Sequence, residues 1–99
     1  MKLKEGVNPT GMKPEIMLAI QCAVMVYHKY GYDLTITSIC DGAHNKNSLH
    51  YAGLAVDLRI RNITHEPMRR EICAEIRDNL GSNYDVILEP THIHIEYQP

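Results

Sequence analysis

Two stretches of strict alternation, far apart in the chain, constrain its fold more than any other feature. In Leu54-Ala55-Val56-Asp57-Leu58-Arg59-Ile60 successive side chains of a strand point to opposite faces. Leu54, Val56, Leu58 and Ile60 therefore share an apolar face, and Ala55, Asp57 and Arg59 share the other. In His92-Ile93-His94-Ile95-Glu96-Tyr97 the same rule gathers Ile93, Ile95 and Tyr97 on one side and His92, His94 and Glu96 on the other. If both strands belong to one sheet, the apolar faces form a core and the polar faces converge. Imidazoles and a carboxylate then surround a point, a donor set suited to zinc with a fourth position left for water.

The residues leading into the first strand sharpen this. Gly53 permits a turn, and His50 stands just before it, placed to fold back over the strand. Ser48, His50, Gly53, Ala55 and Asp57, followed by His92 and His94, resemble the S-x-H-x-x-G-x-A-x-D and H-x-H motifs of a family of zinc peptidases. That family cuts bacterial cell-wall peptides: D-alanyl-D-alanine carboxypeptidases and phage L-alanyl-D-glutamate endopeptidases, with the related hedgehog signalling domain. The resemblance implies zinc as cofactor and His50, Asp57 and His94 as its ligands. Strand parity alone leaves His92 and His94 equivalent; the resemblance favours the second. It also implies an acidic residue a few positions before the last ligand as the base that activates the zinc-bound water. Glu89 fills that place, with His92 assisting the water or the developing oxyanion.

The chain departs from the family at one point. Many members carry an arginine in a turn before the histidine motif, where it helps to hold the substrate. The corresponding stretch, Thr37-Ser38-Ile39-Cys40-Asp41-Gly42, has none. Arg59, His44 and Lys46 are candidates to replace it, with Ser48 and Asp41 as further contacts in or beside the loop that leads to His50. Without a fixed cation to hold a terminal carboxylate, an internal cut is favoured over removal of a terminal D-alanine.

At 99 residues the chain has room for one core, and a single domain is expected with residues 1–13 as an arm. The net charge of −2 provides no basic footprint for nucleic acid. With no Trp or Phe, it has no platform for stacking bases beyond its tyrosines. No apolar run is long enough for a signal peptide or membrane span, so synthesis in the cytoplasm, with later release to act on the wall, is the expectation. Cys22, Cys40 and Cys73 are widely spaced and odd in number, which fits a reducing compartment and free thiols, Cys22 and Cys73 as small buried hydrophobes.

Helical spacing runs over residues 14–30, opened by Pro14 and closed by Gly31. Ile16, Ala19, Ile20, Ala23, Val24 and Tyr27 make its stripe, widened by Met17, Met25 and Val26 enough to predict a helix buried on several sides. A second helix is expected over 67–80, with Met68, Ile72, Ile76 and Leu80 inward and Gly81 at its end. Its charged outer face, like His28 and His65, reads as ordinary surface. Strands are expected at 33–39, 54–60, 84–88 and 93–97, the last two joined by a Glu89-Pro90-Thr91 hairpin. The fold class is α+β: a mainly antiparallel four-stranded sheet, two helices on its apolar face and zinc on the other. The resemblance implies the same architecture. The functional expectation is a monomeric zinc metallopeptidase acting on peptidoglycan stem peptides, of the phage-type lysin endopeptidase kind. The alternatives are a D-Ala-D-Ala carboxypeptidase or dipeptidase, and a zinc-stabilised binding module without activity.

Overall fold

The structure is a computed structural model and describes residues 1–39 and 54–99. His44, Ser48 and His50, with Cys40, Asp41, Lys46 and the Gly53 turn, lie outside the described residues. Among the described residues seven elements follow in order: β1 (Lys2–Leu3), α1 (Pro14–Lys29), β2 (Thr35–Ile39), β3 (Ala55–Arg59), α2 (Glu66–Leu80), β4 (Tyr84–Leu88) and β5 (His92–Tyr97). The fold is α+β, as expected. The sheet differs from expectation in having five strands in the order β1-β2-β3-β5-β4 and in being mixed. The additional strand comes from the N-terminal arm, which pairs parallel to β2 at Lys2↔Thr35 and Leu3↔Ile36. Every other pairing is antiparallel.

The central register fixes both faces at once. Val56 pairs with Ile95 and Leu58 with Ile93, and on the far side of β5 Val86 pairs with Ile95 and Leu88 with Ile93. Val56, Leu58, Val86, Ile93 and Ile95 are buried in one core with Ile16, Ala19, Ile20, Ala23, Val26 and Tyr27 of α1 and Ile72, Cys73 and Ile76 of α2. Both helices thus cover the apolar face, α1 over β3 and β5 and α2 over β4. The opposite face carries Asp57, Arg59, His92, His94 and Glu96, with Ala55, Asp85 and Ile87 beside them.

Each helix starts with a proline in its first turn, where the missing N–H costs nothing. α2 ends at Gly81, whose φ of 82° suits a residue without Cβ and lets its N–H reach the carbonyl of Arg77. α1 is less enclosed than its composition predicts. One stripe is buried, while Met17, Leu18 and Met25 are exposed, because only one side of the helix meets the sheet and α2 packs beside it. Of the two cysteines described, Cys73 is buried, Cys22 only partly, and both are free thiols.

Polar side chains finish what the ladders leave open. The bonds Glu89 N–H to His92 O and Gln98 N–H to Asn83 O set the alternation along the β4–β5 hairpin. That alternation turns the carbonyl of Val86 away from β5, towards the sheet edge. Arg77 of α2 donates to it through Nε at 3.2 Å and Nη2 at 2.8 Å, satisfying an edge acceptor that would otherwise invite another strand. The helices are tied by Glu75, which accepts from Tyr30 at 2.7 Å and from Lys29 at 3.1 Å. The Tyr30 bond is the main reason that the carboxyl of Glu75 is held below its ordinary range.

One such bond links the core to the polar face. The hydroxyl of Tyr27, on a fully buried side chain, donates to the carbonyl of Arg59 at 2.9 Å and holds the end of β3. Burial pushes the phenol well above its ordinary pKa, so it stays a donor throughout the usable pH range. Replacing it by Tyr27→Phe should lower the unfolding free energy by about 1 kcal/mol. For a domain of this size that moves the thermal midpoint down by about 4–8 °C, measurable by calorimetry.

Candidate metal centre

The polar face is built by cross-strand pairing. On β3 and β5 the partners are Asp57 with His94, Arg59 with His92 and Ala55 with Glu96. Paired residues of an antiparallel ladder project to the same side, so an acid stands opposite an imidazole. The third pair places a small side chain opposite Glu96, which leaves that carboxylate free to lean along its own strand to His94.

His94 is held from both ends. Its Nδ1 lies 2.7 Å from Asp57 Oδ1 and its Nε2 lies 3.0 Å from Glu96 Oε1. Glu96 is steadied in turn by the side-chain amide of Gln98. His92 Nε2 stands 3.7 Å from the same Asp57 oxygen, and its Nδ1 is 3.0 Å from the hydroxyl of Thr91. Asp57, His92 and His94 each offer a donor atom, all within 4.8 Å of one another, close enough to bind a metal ion.

β2 adds a second layer to the same face. Ile36 pairs with Leu58 and Ser38 with Asp57, so Thr37 is an extra residue in the strand, a bulge opposite the acid. Its hydroxyl lies 3.4 Å from the Asp57 carbonyl. Thr37 and Ser38, although consecutive, both line a cleft of about 540 Å³ whose walls also include Asp57, Arg59 and His92. Bulges frequently sit beside functional sites because they re-aim a side chain in this way.

Asp57, His92 and His94 come together. Arg59 stands across from His92 and lines the cleft. Glu89 closes the hairpin through its N–H to His92 O at 2.8 Å. The alternation puts Glu89 on the same face as His92, and no ion pair holds its carboxylate among the described residues. His50, His44 and Ser48 fall outside the described residues. Sequence reasoning placed Glu96 on this face but gave it no task. Its two-residue spacing from His94 was the available signal, since same-face neighbours on a strand can touch. No family model matches the chain, and no curated protein matches it.

Two imidazoles and a carboxylate are ordinary donors for a borderline metal, and spacings up to 4.8 Å need only modest closure to meet bonds of about 2.0–2.2 Å. The proton on His94 competes with that use. The hydrogen bond to Asp57 leads the causes that lift its pKa from the ordinary 6.5 to about 9, burial opposing and Glu96 adding to the rise. A folded-state pKa above the unfolded one contributes stability that is complete below about pH 6.5 and lost as pH rises through about 9. The metal-free protein should therefore lose thermal stability across that window relative to a His94→Gln variant. Metal affinity should rise over the same window, because the ligand nitrogen must shed its proton. Calorimetric unfolding and zinc titration at a series of pH values check both.

Proposed function

We propose that the protein is a zinc-dependent peptidase acting on peptidoglycan stem peptides as a lysin endopeptidase. The observation that carries this reading is the convergence of Asp57, His92 and His94 on the polar face of the sheet, where Asp57 and His92 line a cleft. The likeness of the segments around His50, Asp57 and His94 to the cell-wall zinc peptidases gives that cluster a reaction. On this reading His50, Asp57 and His94 hold the metal. His94 lies closer to Asp57 than His92 does, at 2.7 Å against 3.7 Å, which supports His94 as the inner ligand.

When bound, zinc would lower the pKa of a water towards about 7 and polarise the scissile carbonyl. The chain's own residues would do the rest. The Glu89 carboxylate, beside His92 at the hairpin, accepts the proton of the attacking water and passes it to the nitrogen of the leaving amine. His92 Nε2 donates to the oxygen that becomes negative, its ring oriented through Nδ1 by Thr91. With Asp57 and one nitrogen of His94 turned to the metal, Glu96 would hold the other nitrogen, Nε2, and so fix the ring, as carboxylates commonly do for a ligating imidazole.

One experiment separates these roles. Single variants are purified with zinc, and metal content and hydrolysis of a stem peptide are measured on each. His94→Ala should lose the metal and activity together, whereas His92→Ala should retain the metal. Glu89→Gln should retain fold and metal and lose turnover by about two to four orders of magnitude. Full zinc occupancy in folded His94→Ala would reverse the ligand assignment. Absence of cleavage by the zinc-loaded wild type would leave a metal-binding module in place of an enzyme.

A further inference from the structure

The sequence lacks the arginine expected in the turn after β2, yet the described part of the cleft is rich in cations. Lys4, Arg59, Arg61 and Arg69 line it, and Asp57 is its one carboxylate among the described residues. These cations come from four places: the N-terminal arm just after β1, β3, the connection after β3, and α2. They reach one cleft because β1 adds to the edge of β2, which brings the arm alongside the polar face. The N–H of Lys4 donates to Ile36 O at 2.8 Å, so its backbone is fixed in the sheet while its side chain is exposed.

The cations differ in freedom. Arg69 is anchored, with Nε donating to Ile63 O at 2.6 Å and Nη1 3.5 Å from Glu66. Its Nη2 has no partner among the described residues. Lys4, Arg59 and Arg61 have no carboxylate partner there either. Unpaired cations gathered in a concave wall focus a positive field and attract an anion, and an arginine can grip a carboxylate with two parallel N–H bonds. A smaller hollow of about 260 Å³ shares Lys4, Thr37 and Ser38 with the cleft and continues along the arm to Asn8. An extended peptide therefore has a path across the strands, from His92 past Asp57 and Ser38 to Lys4.

From this arrangement we infer that Lys4 and Arg61, backed by Arg69, form a carboxylate-binding wall that determines which peptides the site accepts. The N-terminal arm is then part of the substrate site. This deepens the peptidase reading and rests on it: the substrate class becomes a peptide with a free carboxylate close to the bond that is cut. A stem peptide offers two such groups, the α-carboxylate of its γ-linked D-glutamate and the terminal carboxylate of its last D-alanine. The chemistry recognised is the same for both.

The probe is the pentapeptide L-alanyl-γ-D-glutamyl-L-lysyl-D-alanyl-D-alanine, made in three forms: both carboxylates free, glutamate amidated, and C-terminus amidated. Its binding to zinc-loaded wild type, Lys4→Gln, Arg61→Gln and the double variant is measured by calorimetry, and KM and kcat by mass spectrometry. Both substituted side chains are exposed and lie outside the metal cluster, so fold and zinc content should be unchanged. The double variant should bind the free pentapeptide at least about tenfold more weakly, the scale of a lost charge-assisted hydrogen bond. KM should rise with kcat nearly constant, and Lys4→Arg should restore binding. Whichever amidated form binds wild type as weakly as the double variant binds the free peptide identifies the carboxylate recognised. Equal binding of all three forms to wild type, or no loss in the double variant, would overturn the inference. Because binding is read separately from turnover, failure to cleave overturns the peptidase reading and leaves the binding result to judge the wall.

Discussion

The pairing of Asp57 with His94 across β3 and β5 is the constraint on which the rest depends. The register that brings these two opposite each other also stacks Val56 on Ile95 and Leu58 on Ile93 beneath them. Shifting one strand by a residue would put isoleucines on the polar face and histidines against α1, so the core and the Asp57–His94 cluster are selected together. The apolar half supplies the free energy, since burial of those side chains outweighs what one hydrogen-bonded pair contributes near the surface. The polar half gains a fixed geometry from packing that it does not itself provide.

That geometry holds two competing states. Between Asp57 and Glu96, His94 is well placed as an imidazolium with a carboxylate on each nitrogen. The same nitrogens are the ones a metal would need. A proton and a metal cation would be alternative ways to offset the carboxylates gathered there. Without a metal the two carboxylates need not simply repel each other, because the imidazolium between them offsets one of their two charges.

Much of this was legible where side-chain period and burial agree. Alternation at 54–60 and 92–97 identified β3, β5 and the residues of each face, and Pro14, Gly31 and Gly81 bounded the helices. What escaped notice has no periodic signature. Lys2 and Leu3 make a strand two residues long, too short to alternate, and it exists only because β2 offers an open edge. The bulge at Thr37 sits inside a run of β-branched residues that reads as regular. The exposure of Met17, Leu18 and Met25 depends on how many neighbours α1 finds, which composition does not state. Arg59 was recognised as a possible cleft residue from its parity with Asp57. Lys4, Arg61 and Arg69 were not, because only the tertiary fold brings the arm, the β3–α2 connection and α2 to one place.

The manner in which β1 is attached has a consequence of its own. Lys2 N–H to Leu34 O and Lys4 N–H to Ile36 O hold it to the sheet, and its own side chains are exposed. An element with so little buried surface opens locally at a small fraction of the free energy that unfolds the whole domain. If Lys4 helps to choose the ligand, discrimination resides in the part of the molecule that lets go first. Warming would then blunt selectivity while the cluster of Asp57, His92 and His94, set on the two central strands, remained intact.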